Sequence, residues 1–430
     1  MTRRGRVAKA VHNRELSPAK DNIWYALATI DGQPAIGADT ALVKKNKYYW
    51  NGYMRHLHEK DEHQSFLKYP DLINKMPQLG VKELGHVHKK LQRLGFDPIE
   101  LSGLEIDFSY VDVPQCYFDG FIFIKHANFY CARFSGWAYF NDAIFLGEAN
   151  FDKSVFKEWA DFHNADFSQL AAFDDCTFSK AVSFDKAKFS KSALFSAVNF
   201  FGLATFNGAN FSSELDFNQF EGRNATVFNS FPPEFFNANT PEDVRWFNVE
   251  FPSSKGLAQS KATMHKNAYE RLGLMMDKLN KHHDKHMFFR LEMRARRQME
   301  TKWLPRLING GYEFLSDYGY GVGRASTLWL GNIVAGTMFL IPFKGLDFDP
   351  TWSGLKEGIE ILSKAFATSF SNAHGFLGLG RGPLKESVSY YQANPDLWVP
   401  YNVTAFFQTI CGAIFLFFVL LCMRNRFRMG

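Results

Sequence analysis

Phenylalanine recurs through the middle of the chain with a fixed phase. From Phe118 to Phe217, a series of nineteen phenylalanines is separated alternately by five and six residues, so the pattern repeats every eleven residues. A small residue stands two positions before most of them, as Ala187 does before Phe189. Neither a helical period of about 3.6 residues nor a strand period of about 2 explains this spacing. A solenoid does, because equivalent positions in successive coils stack on one another.

These phenylalanines are predicted to fill the solenoid, with the small residues leaving room beside them. The side chains between them are mostly Asp, Asn, Lys and Ser, which would face water and form flat polar faces. Such a ladder indicates packing and not a cofactor site. The predicted core consists of Phe123, Phe129, Phe134, Phe140, Phe145, Phe151, Phe156, Phe162, Phe167, Phe173, Phe178, Phe184, Phe189, Phe195, Phe200, Phe206, Phe211 and Phe217.

The sequence from Ala187 to Lys191, AKFSK, resembles the repeat unit of the pentapeptide-repeat family. The resemblance implies a right-handed quadrilateral β-helix, with the central apolar residue and the small residue before it pointing inward. The extra residue on every second face resembles a known variant of the repeat. With about 22 residues in each coil and ~4.8 Å between strands, the prism would rise about 22 Å.

Two long uncharged stretches near the C-terminal end are predicted to be transmembrane helices. The stretch 397–423 has 27 residues without a charge, more than the ~20 that cross a bilayer. The stretch 325–343 has 19, and a buried amphipathic helix is the alternative for it. Basic residues flank both stretches, which predicts that both termini are cytoplasmic. The expected interface residues are Arg324, Arg424, Arg426 and Arg428.

Between these stretches, residues 365–380 form a further uncharged segment that is too short to span a bilayer. An amphipathic interfacial helix is one interpretation of it, and a re-entrant segment between two spans is the other. A re-entrant segment would fit a simple pore-forming subunit. The pore candidates would then be Ser369, Ser371, Asn372 and His374.

Charge is sorted along the chain more strongly than the net charge of +5 indicates. Residues 101–230 hold 16 acidic and 9 basic side chains, whereas residues 255–306 hold 13 basic and 5 acidic ones. The basic segment has the apolar spacing of a long helix or a helical hairpin. Its basic face could be solvated or attracted to anionic lipid. Binding to nucleic acid is less favoured, because no recognisable nucleic-acid-binding fold accompanies it.

The flanking segments extend the resemblance to membrane-bound bacterial pentapeptide-repeat proteins. The matching motifs are FFRLE at 288–292, SDYG at 316–319 and RNRF at 424–427, together with NIWYALATIDGQ and YYWNGYM near the N-terminus. The resemblance implies a location in the bacterial inner membrane. None of these motifs brings a catalytic role.

The sequence thus predicts a mainly β solenoid with an α-helical juxtamembrane segment and two transmembrane helices. The predicted regions are an N-terminal α+β cap at 1–100, the pentapeptide-repeat β-helix at 101–235, a basic helical linker at 236–324 and a membrane region at 325–430.

No enzyme is expected, since the sequence shows no nucleophile with a base partner, no phosphate-binding loop and no metal motif. No catalytic, cofactor-binding or metal-binding residue is predicted. The favoured hypothesis is a cytoplasmic interaction platform anchored in the lipid bilayer, with an unidentified protein bound on the solenoid faces. The alternative is an oligomeric two-span ion channel gated by the solenoid. A homo-oligomer is expected, and a nucleic-acid partner is not.

Overall fold

A computed structural model of the protein describes residues 15–34, 40–60, 69–98, 105–218, 224–341, 352–374, 389 and 395–427. The chain divides into two compact units. The first consists of Met1–Ser254 with Asn267–Lys285, and the second of Lys255–Lys266 with His286–Gly430.

The first unit contains the predicted β-solenoid, built from strands of two or three residues in four parallel sheets. We call these sheets faces A to D. Face A consists of Ser17–Pro18, Val111–Val113, Arg133–Phe134, Val155–Phe156, Thr177–Phe178, Asn199–Phe200 and Val227–Phe228. Face B consists of Ile106–Asp107, Ala127–Asn128, Ala149–Asn150, Ala171–Ala172, Ala193–Leu194, Leu215–Asp216 and Val244–Arg245.

The other two faces have five strands each. Face C consists of Cys116–Tyr117, Ala138–Tyr139, Ala160–Asp161, Val182–Ser183 and Ala204–Thr205. Face D consists of Ile122–Phe123, Ile144–Phe145, Asp166–Phe167, Lys188–Phe189 and Asn210–Phe211. Within the repeat the strands pair with residues 22 positions further along, as in the pairing of Phe134 with Phe156, which confirms the predicted coil length. The separation is longer in the last coils, as in the pairing of Phe200 with Phe228.

The core is a set of phenylalanine columns. Phe151 lies between Phe129 and Phe173, with ring centroids 4.6 and 4.9 Å away and nearly parallel planes. Rings in neighbouring columns meet edge to face, as Phe151 and Phe162 do at 5.5 Å, an arrangement that the ring quadrupole favours. All of the predicted core phenylalanines are buried, and none is more than 2% exposed.

Two kinds of corner account for the alternation of five and six residues. After faces B and C the corner is tight and contains a residue with a left-handed backbone, as at Asp142 (φ 56°) and Asn164 (φ 55°). The next phenylalanine then follows after five residues. The described corners after faces A and D contain no positive φ and take one residue more. The eleven-residue period is therefore one tight corner followed by one wide corner.

The solenoid extends beyond residue 235. Val244–Arg245 adds a strand to face B, and Trp246 continues the aromatic column at 4.6 Å from Phe217. The start of the region predicted as a basic linker, 236–324, therefore belongs to the solenoid. The first helix after the solenoid begins at Gln259.

Helices cover the first coil. The helices are α1 (Ile23–Ala28), α2 (Thr40–Lys60), α3 (Pro70–Lys75) and α4 (Val81–Arg93), after a 3-10 turn at Ala19–Asp21. On α2, the Trp50 ring stacks on Phe121 at 5.2 Å, and its Nε1 donates to the Ile122 carbonyl at 3.0 Å. The Asn51 side chain accepts from the Ile122 amide at 2.9 Å. Helix α2 thus satisfies backbone groups that an uncovered first coil would leave open.

A buried charge cluster ties these helices together. The buried Asp31 carboxylate lies 2.5 Å from Lys90 Nζ, 3.0 Å from Lys45 Nζ and 3.1 Å from His86 Nε2. Burial opposes ionisation of this carboxyl, but the hydrogen bonds from the three basic groups outweigh it and lower the pKa of Asp31 to about 2.

The remaining helices are α5 (Gln259–Lys278) and α6 (His282–Met299), which cross the unit boundary, and α7 (Trp303–Ser316), α8 (Val322–Leu340), α9 (Trp352–Ala373) and α10 (Pro395–Phe427). Helices α8, α9 and α10 pack against one another.

Among the described helices, one has the length and composition to span a membrane, namely Tyr401–Asn425 within α10, with a mean hydropathy of 2.4. It contains most of the predicted span 397–423. The other predicted span, 325–343, corresponds to helix α8, which does not reach the same hydropathy.

Candidate interaction surfaces

Four aromatic side chains lie together on face C of the solenoid. Trp137 and Trp159 are the extra residues of the wide corners before this face, and they are 40% and 45% exposed. Their ring centroids are 6.4 Å apart. Tyr117 and Tyr139 lie outward on adjacent strands and stack at 5.0 Å. We call these four residues the aromatic patch.

Carboxylates border the aromatic patch. Asp119 accepts from Asn141 Nδ2 at 2.8 Å, Asp142 accepts from Asn164 Nδ2 at 2.6 Å, and Asp161 accepts from the His163 amide at 3.1 Å. Burial raises the pKa of the Asp119 carboxyl, and the charges of Asp161 and Asp142 act in the same direction. Burial also raises the pKa of Asp161.

Acidic residues elsewhere on the solenoid have structural partners. Asp174 accepts the Ser196 amide at 2.9 Å, and Asp185 accepts the Asn207 amide at 2.7 Å, each in the next coil. Asp112 forms an ion pair with Arg133. Two of these carboxylates therefore cap backbone amides of the next coil, and the third is paired with an arginine of the solenoid.

The remaining reactive groups of the solenoid are also structural. Cys176 occupies one of the inward small positions and donates to the Phe151 carbonyl at 2.9 Å. Burial raises the pKa of this thiol well above its ordinary value, so it is a poor nucleophile. Within the described ranges, no group of three or more His, Cys, Asp or Glu side chains is placed to hold a metal ion.

In the second unit, the contact between α8, α9 and α10 is polar. Ser369 on α9 donates to the Ile333 carbonyl at 2.5 Å, and Gln408 on α10 donates both to Ser369 Oγ at 2.7 Å and to the Asn332 carbonyl at 2.9 Å. Thr409 donates to the Asn372 carbonyl at 3.1 Å. These side chains link all three helices by hydrogen bonds.

The predicted pore residues lie in this contact. Ser369, Asn372 and His374 are buried, and Ser371 is half-buried. The His374 ring donates from Nδ1 to the Phe370 carbonyl at 2.7 Å. The part of segment 365–380 up to Ala373 is the end of helix α9, and residues 375–380 lie outside the described residues. Spacing within one segment could not show that its polar side chains pair with α8 and α10.

The outer sides of these helices are largely apolar. They expose many large hydrophobic side chains, although α9 also exposes Lys356 and Glu360, and so large an apolar surface is unusual for a protein in water. The exposed residues are Leu330, Val334, Met338, Phe339, Ile359, Leu362, Phe366, Phe370, Val403, Phe406, Phe407, Ile410, Ile414, Phe417, Leu420 and Met423.

Helix α7 shows the same inversion. Its Glu313 pairs with Arg294 and Arg297 on α6 at 2.8 and 2.5 Å. Its exposed side chains include the large hydrophobics Trp303, Leu304, Leu307, Ile308 and Phe314, with Arg306 exposed among them. Its polar side is thus held by protein while its apolar side is left to the surroundings.

The predicted interface arginines are placed as follows. Arg324 is exposed at the start of α8 and donates to the Glu313 carbonyl at 3.1 Å. Arg424 is exposed near the end of α10. Arg426 lies in the last turn of α10, its side chain is not described, and Arg428 lies outside the described residues.

Comparison with known proteins identifies the solenoid. A family model described as pentapeptide repeats (9 copies) matches residues 129–177 and 173–219. These ranges lie within the four-faced solenoid, and the match indicates no catalytic family. No curated protein and no solved structure is significantly similar to the chain. The phenylalanine ladder, its coil length and this match agree, and the chain therefore carries a pentapeptide-repeat β-solenoid.

Proposed function

We propose that the protein is a membrane-anchored pentapeptide-repeat solenoid that serves as a non-enzymatic interaction platform in the cytoplasm. The observation that carries the proposal is the inverted polarity of α8, α9 and α10. Their contact contains Ser369 and Gln408, while residues such as Phe406 and Phe417 are exposed.

A lipid environment accounts for this arrangement. In water, exposed apolar side chains would be a liability over so long a surface, whereas lipid solvates them. Hydrocarbon offers no hydrogen-bond partners, so polar side chains turn inward and pair across helices. The Tyr401–Asn425 stretch also has the length of a span.

Helix α7 fits an interfacial position. Its length of 14 residues is too short to cross a bilayer. A helix with one apolar exposed side and a basic neighbour lies in the plane of the membrane surface, with the apolar side in the acyl region. The positive charge of Arg324 and Arg424, at the ends of α8 and α10, supports a cytoplasmic location in the proposal, since basic residues favour the cytoplasmic side of an inner membrane.

The platform part of the proposal follows from the solenoid surface. Its described groups are occupied in packing, backbone capping and ion pairs, as Cys176 and Asp112 illustrate. What the solenoid offers is a rigid scaffold with flat faces, one of which carries the aromatic patch. Rigid faces of this kind suit recognition of a protein partner.

The test begins with membrane extraction. The full chain is produced in a bacterial host, and isolated membranes are washed with alkaline carbonate. We expect the protein to stay in the membrane pellet and to leave it only with detergent. Release into the carbonate supernatant would overturn the membrane anchor.

A flux measurement then separates a platform from a channel. Inserted full-length protein in liposomes is expected to give no ion flux over a range of salts and voltages. Reproducible flux that changes in a triple alanine variant of Ser369, Ser371 and Asn372 would replace the platform with the channel hypothesis. Chemical crosslinking in the same liposomes reports whether the chain forms the expected homo-oligomer.

A further inference from the structure

The two tryptophans of the aromatic patch are not part of the solenoid core. The core is filled by the phenylalanine columns, and Trp137 and Trp159 lie outside them at the wide corners, 40% and 45% exposed. Equivalent corner positions in later coils are Ala181 and Leu203. Tryptophan and tyrosine are enriched where proteins bind partners, because they bury much area at low entropic cost.

The carboxylates that border the patch have no ion-pair partner among the described residues, although the His163 charge opposes the rise in the pKa of Asp161 and Lys47 Nζ lies beside Gly120. Other carboxylates of the solenoid form ion pairs with arginines of the same solenoid. Asp112 pairs with Arg133, and Asp216 pairs with Arg245 at 3.3 Å. No Lys or Arg in the described part of the chain forms an ion pair with Asp119 or Asp161. The pKa of Tyr139 is raised first by burial and by the adjacent Tyr117, and the charges of Asp119 and Asp161 raise it further. Both carboxylates therefore lie near Tyr139.

We propose that the aromatic patch, with Asp119 and Asp161, binds an arginine-bearing extended segment of a partner protein. This deepens the proposed function, on which it rests, by naming the face and the chemistry of the partner. Guanidinium groups stack on tryptophan and tyrosine rings and bind carboxylates through two parallel hydrogen bonds. An ammonium group stacks on aromatic rings less well, and it binds a carboxylate only as a point charge.

The dimensions of the patch fit such a segment. Arginines at positions i and i+2 of an extended peptide point the same way and are about 6.7 Å apart. Trp137 and Trp159 ring centroids are 6.4 Å apart. Two successive arginines on one side of a strand therefore match two successive coils of the solenoid. Acidic segments and nucleic-acid phosphates are disfavoured by the same carboxylates.

The test uses the full chain purified in detergent and a labelled peptide, Gly-Arg-Gly-Arg-Gly, with binding followed by fluorescence anisotropy. We expect saturable binding that weakens as salt rises. The matched peptides carry Lys or Glu in place of Arg, and we expect weaker binding for the first and none for the second. Because anisotropy is measured in detergent, its outcome is independent of carbonate extraction and of flux.

Variants locate the binding. The double substitution Trp137→Ala with Trp159→Ala is expected to weaken the peptide about tenfold, from the loss of two exposed cation–π contacts. Phe201→Ala is the matched control, since Phe201 is an outward aromatic of the same solenoid with 49% exposure, and it should bind as the wild type does.

The carboxylates are tested by Asp119→Asn with Asp161→Asn, which keeps the side-chain shape and an oxygen acceptor. We expect weaker binding and a flatter dependence on salt. Circular dichroism identifies any variant that fails to fold. The proposal is overturned if the Arg peptide does not saturate, if the Glu peptide binds equally, or if folded tryptophan variants bind unchanged.

Discussion

The solenoid and the helical contact of α8 to α10 place the same kinds of side chain on opposite sides. In the solenoid Phe151 is fully buried and the outward positions are mostly Asp, Asn, Ser and Lys. In the helices Phe417 is 60% exposed and Ser369 is fully buried. Apolar side chains are therefore inside the solenoid but on the outside of these helices. The difference shows that polarity patterning reports the surroundings of each segment and not a property of the whole protein.

The two regions also close their contacts by different forces. The solenoid relies on dispersion and ring geometry in the phenylalanine columns. The helices rely on side-chain hydrogen bonds and on close backbone approach at small residues. A Cβ at Gly412 would overlap the Ala373 carbonyl, and one at Gly336 would overlap the Gln408 side chain. Small residues at these points permit the contact.

The largest expected effect is the loss of a core ring. Phe151→Ala removes a side chain stacked on two neighbours and leaves a cavity, so we expect the free energy of unfolding to fall by about 4 kcal/mol. The measurement is denaturant unfolding of the full chain in detergent, followed by circular dichroism. The matched variant Phe201→Ala should change it by about 0.5 kcal/mol or less. Equal effects would contradict a ring-stacked core.

The second prediction places a charge on each exterior. On the proposed membrane location, Phe417→Arg puts a guanidinium against lipid and costs about 3 kcal/mol near the bilayer centre. We expect a smaller fraction of this variant to stay in carbonate-washed membranes. Phe201→Arg, on the exterior of the solenoid, should leave that fraction unchanged. If both variants behave alike, the exposed side of α10 does not face lipid.

The third prediction concerns the polar contact of the helices. Gln408→Leu removes the donor to Ser369 and to the Asn332 carbonyl. On the proposed membrane location we expect a loss of about 1 kcal/mol, the usual size for a hydrogen bond between membrane helices. Thermal aggregation in detergent, read by size exclusion, measures this loss. The control is Thr327→Ala, whose hydroxyl donates within its own helix, to the Gly323 carbonyl at 2.8 Å. A Gln408→Leu variant as stable as this control would contradict the network.

Spacing predicted the solenoid because its contacts repeat. A residue in one coil meets its equivalent 22 positions away, so the period itself encodes the pairing of Phe134 with Phe156. Even the departure from a strict five was visible, although its cause, a left-handed residue such as Asp142, required backbone angles. The sequence also shows that Trp137 and Trp159 share one phase of the repeat, which would have predicted that they lie on adjacent coils.

Contacts that do not repeat could not be read in this way. The capping role of Trp50, on helix α2, depends on a partner 72 positions away, at Ile122. The bonds of Ser369 to Ile333 and Gln408 likewise join segments that share no period. The sequence indicated a membrane segment from length and hydropathy alone. Helix α8 falls below the hydropathy of a clear span because it contains polar residues such as Asn332, and the sequence could not show that the Asn332 amide donates to the Gln408 carbonyl on α10 at 3.4 Å.

The smallest effect, on the solenoid exterior, depends on pH. Because burial raises the pKa of Asp119 and Asp161 in the folded state, their contribution to stability is fully present below the ordinary carboxyl pKa and is lost as pH rises through the raised value. Asp119→Asn with Asp161→Asn should therefore equal the wild type near pH 3 and exceed it at pH 7, by about 0.5 kcal/mol or less.

Asp112 is the opposite case within the same solenoid. Its hydrogen bond from Arg133 lowers the pKa of Asp112, so its contribution is present above the ordinary carboxyl pKa and is lost as pH falls through the lowered value. Asp112→Asn should thus reduce stability at pH 7 and leave it unchanged at low pH. Thermal unfolding of both variants between pH 3 and 7 measures the two slopes. Slopes of the same sign would contradict the contrast between the carboxylates of the patch and the paired Asp112. Added Arg peptide should abolish the stability gain of the Asp119→Asn with Asp161→Asn variant at pH 7 and leave the effect of Asp112→Asn unchanged.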